Sequence, residues 1–276
     1  MLKQRVITAA ILVVIMAVAL AWSPAAFAVV ATAVLGLALM EWLQLTGASR
    51  SASVLLSAMV SVVLLYIGVI ERGVIPRVAF PLSALATVIW LLIAAMLFHP
   101  KAMTFRLPRV AGMALALLLV VAGWFALMQL LLQGAAMLLS VLLIVWIADT
   151  AAYFAGRAYG RRKLAPHISP GKTWAGVVGA VFAVMVAALL VRQLVSTAPL
   201  YTNHLFAGIG ILPALLVMAW LVALSVVGDL FESLQKRQAG VKDSGQMLPG
   251  HGGMLDRVDA LVPLLPAAVL TQWLIR

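Results

Sequence analysis

The chain has 276 residues, of which 65% are hydrophobic and only 10% charged, whereas soluble domains are typically about 45–50% apolar and about 25% charged. This composition excludes a water-soluble globular protein. The formal net charge of +11 is typical of basic cytoplasmic loops in a membrane protein and does not indicate nucleic-acid binding. Because cysteine is absent, disulfides, thiolate catalysis and cysteine metal sites are excluded.

Nine apolar segments follow one another along the chain, each near the 20 residues that a helix needs to cross a bilayer core of about 30 Å. They cover residues 6–22, 25–44, 53–70, 79–98, 110–132, 134–154, 174–195, 205–230 and 258–275. Segment 110–132 is apolar nearly all round and far longer than a barrel strand of about 10 alternating residues. We therefore predict an all-α integral membrane protein, a bundle of about nine transmembrane helices. We divide it into N-terminal helices in 1–132 and C-terminal helices with the catalytic loops in 133–276.

The basic residues predict the orientation of this bundle. With the N-terminus in the cytoplasm, fifteen Lys and Arg residues fall on the cytoplasmic side and four on the other, so we predict N-in/C-out topology. Ala26-Phe27-Ala28 resembles a signal-peptide cleavage site, but the apolar run continues through it, and we expect an uncleaved first span. We expect a multi-pass protein of the bacterial inner membrane, because no organelle transit peptide is visible.

The only long polar stretches, 156–173 and 232–259, both fall on the predicted cytoplasmic side, and irregular polar loops are where chemistry is expected. All five aspartates lie between 149 and 259. Glu41 and Glu71 stand at span ends near basic residues. We interpret them as boundary charges and expect Glu41 to have no functional role.

Asp149 and Asp229 each follow an apolar run near the cytoplasmic end of a span. An ionised carboxylate at mid-bilayer costs roughly 2.5–3.5 kcal/mol, and less near the interface, so a partner or a water-filled cavity must offset that cost. A structural ion pair, for instance between Asp149 and Arg157, is one explanation. A cation or substrate site is the explanation we favour.

Helical spacing brings further polar groups to the same place. Residues at i, i+3, i+4 and i+7 share one helix face, and here they are Asp229, Glu232, Ser233 and Lys236. Asp256 and Asp259 stand at i and i+3 at the start of the last span. Carboxylates that converge from two helix ends suit Mg²⁺, which takes one or two carboxylates plus substrate phosphates. The alternative is a solvated helix face of mixed charge.

The stretch from 236 to 259 is dense in groups suited to phosphate chemistry. Its glycines let backbone N–H groups approach an anion closely, and its Lys and Arg side chains can neutralise a polyphosphate. His251 is either an ordinary polar loop residue or a group that touches a phosphate or the leaving group.

Loop 156–173 ends in Ser169-Pro170-Gly171-Lys172-Thr173-Trp174. Gly171-Lys172-Thr173 is not a P-loop, because that motif needs a strand ahead of it and Gly at position 166, which is Pro here. The four cations in 157–163 could serve as a nonspecific anchor on anionic lipid headgroups, but the last six residues are too particular for a simple anchor.

The second loop resembles the signature of the phosphatidate cytidylyltransferase (CDP-diacylglycerol synthase) family. The likeness runs from Ser233-Leu234-Gln235-Lys236-Arg237 through Lys242-Asp243 to Leu248-Pro249-Gly250-His251-Gly252-Gly253-Met254-Leu255-Asp256-Arg257-Val258-Asp259. The segment 169–174, and Asp149-Thr150 with Tyr153, are similar to a second recurring block of the family. Two positions depart from the pattern: Gln235 stands where an apolar residue is usual, and Ala175 where Glu or Gln is frequent.

The resemblance implies that CTP and phosphatidate give CDP-diacylglycerol and pyrophosphate, with Mg²⁺ as the cofactor. Asp229 and Asp256 match the family's metal-binding aspartates, and we add Asp259 and Asp149 as supporting or second ligands. The residues assigned to the triphosphate or to the transfer itself are Lys236, Arg237, Lys242, Asp243, His251 and Arg257. Those assigned to substrate contacts are Ser169, Lys172, Thr173, Ser233, Gly252 and Gly253. Membrane lipids are further expected partners, while a second cation and a homodimer are left open.

Two rival functions fit less well. A CDP-alcohol phosphotransferase needs an Asp-Gly pair and two Asp residues four apart, whereas Asp256 and Asp259 are three apart. A cation-coupled transporter would place its acids near mid-membrane in repeated halves, whereas these acids cluster at one face and no repeat is evident.

Overall fold

A computed structural model describes residues 2–99, 102–247 and 252–275, and for residues 2–10 and 12 it describes the backbone only. Within these ranges the chain is almost entirely helical. The helices are α1 (Leu2–Trp22), α2 (Pro24–Leu45), α3 (Arg50–Val69), α4 (Ile75–Leu97), α5 (Arg109–Leu132), α6 (Ala135–Tyr159), α7 (Trp174–Val195), α8 (Tyr201–Ile209), α9 (Ile211–Gln238), α10 (Leu255–Val258) and α11 (Leu261–Leu274). Two short strands, β1 (Lys163–Ala165) and β2 (Ser169–Thr173), and 3₁₀ turns at Arg72–Val74 and Ala102–Thr104 complete it.

Seven helical segments in the described part of the chain are long and apolar enough to cross a membrane: α2, α3, α4 with its preceding 3₁₀ turn, α5, α6, α7 and α9. Their outward faces are apolar too. On α3, Leu55, Met59, Val62 and Tyr66 are all exposed at helical spacing, which suits a hydrocarbon surrounding rather than water. The chain is thus built as an integral membrane protein, while the count of nine spans and the N-in/C-out orientation stay predictions.

Most predicted span ends agree with the helices to within a few residues, and α7 matches at both ends. The predicted span 205–230 is divided, because Gly210 adopts φ of +80°, a conformation that glycine alone adopts readily. Helix α8 ends there, and α9 begins one residue later and continues to Gln238. The last predicted span, 258–275, corresponds to α11, and the short helix α10 lies just ahead of it.

Helix α9 lies at the centre of the bundle, in contact with α4, α7 and α11. Its approach to the start of α11 is close: a Cβ at Gly228 would lie 2.7 Å from Pro263 Cγ and overlap the Asp259 carbonyl. Only glycine permits this contact. It brings the carboxyl-terminal part of α9 against the segment that carries Asp259.

The predicted loop 156–173 contains an antiparallel β-hairpin in which Lys163 faces Thr173 and Ala165 faces Ser169. The Thr173 hydroxyl ends the hairpin as the N-cap of α7, where it accepts a hydrogen bond from the Gly176 N–H at 3.2 Å. Strand β2 also packs on α9. The hairpin therefore holds Lys172 beside the acids of α9.

Candidate functional site

Three carboxylates meet where α9 approaches the start of α11. Asp229 and Glu232 of α9 and Asp259 each offer an oxygen, and these atoms lie within 4.8 Å of one another. Such a spacing of hard oxygen donors can hold a divalent cation. We call these three residues the carboxylate cluster.

A lysine connects the cluster to Asp256. Lys236 Nζ lies 2.5 Å from Glu232 Oε2 and 2.5 Å from Asp256 Oδ1, and all three side chains are largely buried. The predicted metal ligands therefore do not all lie in one group. Asp229 and Asp259 belong to the cluster, whereas Asp256 is connected to it through the Lys236 ammonium. Glu232, which sequence spacing placed on this face without making it a ligand, takes the third place.

Asp256 also holds in place the glycine-rich segment between α9 and α10, residues 239–254, which we call the signature loop. Its Oδ2 accepts hydrogen bonds from Ser244 N–H at 3.0 Å, Ser244 Oγ at 2.9 Å and Gly253 N–H at 2.8 Å. Burial alone raises the pKa of Asp256, but the hydrogen bonds from Lys236 and Gly253 and the ammonium charge outweigh it and lower this pKa to about 2. Asp256 is therefore an anion at any physiological pH.

Glu41 shares this loop, so its interpretation as a boundary charge is wrong. Its side chain is only 2% exposed, and its Oε2 accepts hydrogen bonds from Ser244 Oγ and from the Leu255 N–H, both at 2.8 Å. A Cβ at Gly245 or at Gly253 would overlap the Glu41 carboxylate. The described parts of the signature loop therefore pack against an acid of α2.

A cavity of about 490 Å³ lies beside the cluster, between α6, the hairpin, α7 and α9. Asp149, Asp229, Lys172, Lys163 and Arg157 line it, and Lys172 Nζ lies 2.6 Å from Asp229 Oδ2. Its walls thus carry both metal-binding oxygens and cations suited to phosphate.

The alternative ion pair between Asp149 and Arg157 does not form among the described contacts. Arg157 instead donates to the Tyr153 hydroxyl at 3.2 Å, which leaves Asp149 on the cavity wall.

The remaining predicted residues lie either beside the carboxylate cluster and its cavity or on the exposed surface near the signature loop. Ser233 Oγ donates to Asp229 Oδ1 at 3.4 Å, and Gly252, at φ of +80°, leaves space for the Asp243 and Asp256 side chains. Ser169 begins β2, three residues before Lys172. Four side chains are exposed near the loop rather than inside the cluster: Arg237, Lys242, Asp243 and Arg257. His251 lies outside the described residues.

Sequence reasoning missed Glu41, Glu232 as a ligand, and Ser244. A signal existed for Glu41, because it is an acid inside an apolar window, the same observation that selected Asp149 and Asp229. Nothing local indicates Ser244, whose role depends on contacts with distant parts of the chain.

Comparison with known sequences connects this geometry to a family. The cytidylyltransferase family profile matches residues 3–275. The chain belongs to the cytidylyltransferase family. Among its relatives, a Pseudomonas aeruginosa protein named phosphatidate cytidylyltransferase is 37% identical over 283 residues, covering 99% of this chain and 97% of the relative.

Two further cytidylyltransferase relatives match about half of the chain. A Haemophilus influenzae phosphatidate cytidylyltransferase is 44% identical over 135 residues, 49% of this chain and 44% of the relative. One from Thermotoga maritima is 40% identical over 137 residues, 50% of this chain and 49% of the relative.

Proposed function

We propose that this protein is a phosphatidate cytidylyltransferase, which converts CTP and phosphatidate to CDP-diacylglycerol and pyrophosphate. The observation that carries the proposal is the carboxylate cluster beside a cavity that Lys172 enters, at one end of membrane-length apolar helices. A membrane lipid and a soluble nucleotide can meet at such a place. The names of the bacterial relatives support the same reaction.

The reaction needs positioning and charge neutralisation more than covalent chemistry. An anionic oxygen of the phosphatidate phosphate attacks the α-phosphorus of CTP and forms a new P–O bond. The bond from that phosphorus to the oxygen bridging to the β-phosphate breaks, and pyrophosphate leaves on the opposite side with that electron pair. No enzyme nucleophile is required, which agrees with the lack of cysteine.

The donor set suits Mg²⁺, because three carboxylates present oxygens within 4.8 Å of one another and Mg²⁺ commonly binds carboxylates together with substrate phosphates. When bound, the ion would neutralise the charge that accumulates on the transferring phosphate. We assign Asp229, Glu232 and Asp259 to hold it, with Asp149 on the cavity wall as a ligand for a second cation.

The cations of the site bring two anionic substrates together. We assign Lys172, with Ser169 and Thr173, to the phosphatidate headgroup or the triphosphate, because Lys172 lies in the cavity within 2.6 Å of Asp229. Lys236 lies between Glu232 and Asp256 and fixes the positions of both acids. The exposed residues Arg237, Lys242 and Arg257 would receive the departing pyrophosphate. The site would face the cytoplasm at the bacterial inner membrane, where CTP is available.

The direct test is a product assay on detergent-purified protein. Given CTP, dioleoyl phosphatidate and Mg²⁺, the protein should form a lipid with the mass of dioleoyl CDP-diacylglycerol. Replacing phosphatidate by dioleoylglycerol, which lacks the attacking phosphate, should abolish formation of a nucleotide lipid. Formation of a CMP-linked alcohol, or no nucleotide lipid at all, would contradict the proposal.

A further inference from the structure

A second, larger cavity of about 780 Å³ lies between the ends of α2, α4, α5 and α9. Phe231, Leu234 and Gln238 form its α9 wall. At 3.6 residues per turn, these residues lie roughly half a turn from Asp229 and Glu232. The cavity is therefore separated from the carboxylate cluster by the body of α9.

The walls of this cavity match a hydrocarbon chain. Ile89, Leu92 and Ile93 of α4 face Leu115 of α5 across it. Leu92 is 66% exposed and lies on an apolar outer surface, so the cavity opens sideways where lipid chains would surround the bundle. An acyl chain can enter there without crossing a polar barrier.

The mouth of the cavity is positively charged. Arg106 and Arg109 line it, both are exposed, and none of the described lining residues is an acid. Neither arginine takes part in the ion pairs of Lys172 with Asp229 or of Lys236 with Glu232 and Asp256. The backbone N–H groups at the N-terminus of α5 add positive charge to the mouth of the cavity. The N-cap residue, Pro108, has no side chain that accepts a hydrogen bond from them.

Gln235 adds a buried polar group to the α9 wall of this cavity. It stands where the family pattern usually has an apolar residue, it lines this cavity, and its buried Oε1 has no hydrogen-bond partner among the described residues. A buried carbonyl oxygen without a donor is unfavourable. A hydroxyl of a lipid headgroup in the cavity would donate to that oxygen.

We propose that this cavity binds one anionic glycerophospholipid in addition to the reacting substrates. An acyl chain lies between α4 and α5, a headgroup hydroxyl donates to Gln235, and the phosphate binds Arg106 and Arg109, whose guanidinium groups match phosphate in geometry. Gln238 Nε2 donates to the Phe105 carbonyl at 2.8 Å. This bond joins the lipid site to the end of α9, the helix that carries Asp229 and Glu232.

Native mass spectrometry of the whole detergent-purified protein tests this site without turnover, so the result is independent of the proposed reaction. Dioleoyl phosphatidylglycerol and dioleoyl phosphatidylcholine have the same chains and differ in net charge. One phosphatidylglycerol per protein should be retained about tenfold more strongly than phosphatidylcholine, because the choline cation of phosphatidylcholine offsets the attraction of its phosphate to the two arginines.

Two variants and a matched control locate the binding. Arg106→Gln combined with Arg109→Gln should reduce phosphatidylglycerol retention to the phosphatidylcholine level. Arg50→Gln combined with Arg77→Gln removes the same charge from exposed positions outside the cavity and should leave retention unchanged. Leu115→Trp, which fills the cavity at constant charge, should reduce retention of both lipids. Equal retention of both lipids by the unmodified protein, or equal loss in the two arginine pairs, would overturn the proposal.

Discussion

Ser244 donates a hydrogen bond to Glu41, 203 residues earlier in the chain, over 2.8 Å. The same hydroxyl lies 2.9 Å from Asp256 Oδ2, so one side chain joins an acid of α2 to the acid that follows the signature loop. Leu255 N–H donates to Glu41 as well. The N-terminal half therefore contributes to the conformation of a loop that belongs wholly to the C-terminal half.

Replacing Glu41 should impair activity although it lies far from the signature in sequence. Glu41→Ala leaves the buried Leu255 N–H without its acceptor, which costs about 1–3 kcal/mol, and the rate of pyrophosphate release should fall at least about tenfold. Glu41→Gln keeps one acceptor oxygen, and its rate should lie between those of the unmodified protein and of Glu41→Ala. Glu71→Gln, an exposed acid at a helix end, is the control and should be silent. A fully active Glu41→Ala protein would contradict the role of this contact.

Asp229→Asn and Glu232→Gln each remove one charged oxygen donor from the carboxylate cluster. Each should lower the rate by more than about 100-fold, the order expected when a preorganised charge is removed from a reaction centre. The Mg²⁺ concentration that gives half of the maximal rate, measured on the residual activity of each variant, should rise. Insertion into the membrane should be unaffected, as measured by the yield of extracted protein. An unchanged Mg²⁺ requirement in both variants would exclude the cluster as the metal site.

Asp256→Asn should leave less than about a tenth of the activity, a loss above about 1.4 kcal/mol. The neutral amide can no longer pair with Lys236 and weakens the three hydrogen bonds that hold the loop. The Mg²⁺ requirement separates the two roles considered for Asp256. A higher requirement indicates a direct ligand, and an unchanged one indicates an anchor of the loop. Activity close to that of the unmodified protein would contradict both roles.

Gly253→Ala should be inactive for a steric reason. A Cβ at position 253 would overlap Ser244 Oγ and Glu41 Oε2 and lie 2.7 Å from the Gly245 nitrogen. Gly73→Ala is a matched control, because nothing lies within 4 Å of its Cβ position and its φ is not positive. The comparison is read as pyrophosphate release per mole of purified protein. Equal rates for the two variants would mean that the packing around Glu41 is not needed for turnover.

Much of the fold follows from apolar runs of membrane length, since hydrocarbon forces the backbone of each run to satisfy its own hydrogen bonds. Helix α7 illustrates this, because its ends agree with the prediction. The division at Gly210 was not predicted, because residues on both sides are apolar and only the local φ distinguishes a break from a continuous helix. The hairpin of Lys163–Ala165 and Ser169–Thr173 was missed for a related reason: its strands are too short for an alternating pattern.

The site was predictable where spacing along one helix determines geometry. Asp229 and Glu232 are three apart on α9, and they do lie together. Asp256 and Asp259, also three apart, take different partners: Asp259 belongs to the carboxylate cluster, whereas Asp256 pairs with Lys236 and with the Gly253 N–H. The place of Glu41 depends on packing between α2 and the signature loop, which no local pattern encodes.

The measurement that tests the central claim most directly is pyrophosphate release by the purified protein under omission of each component. The account predicts release only when CTP, dioleoyl phosphatidate and Mg²⁺ are all present. Release should be lost with EDTA, restored by added Mg²⁺, and almost absent in Asp229→Asn under every condition. Release without phosphatidate, or release that persists in EDTA, would contradict a metal-assisted attack of the lipid phosphate on CTP.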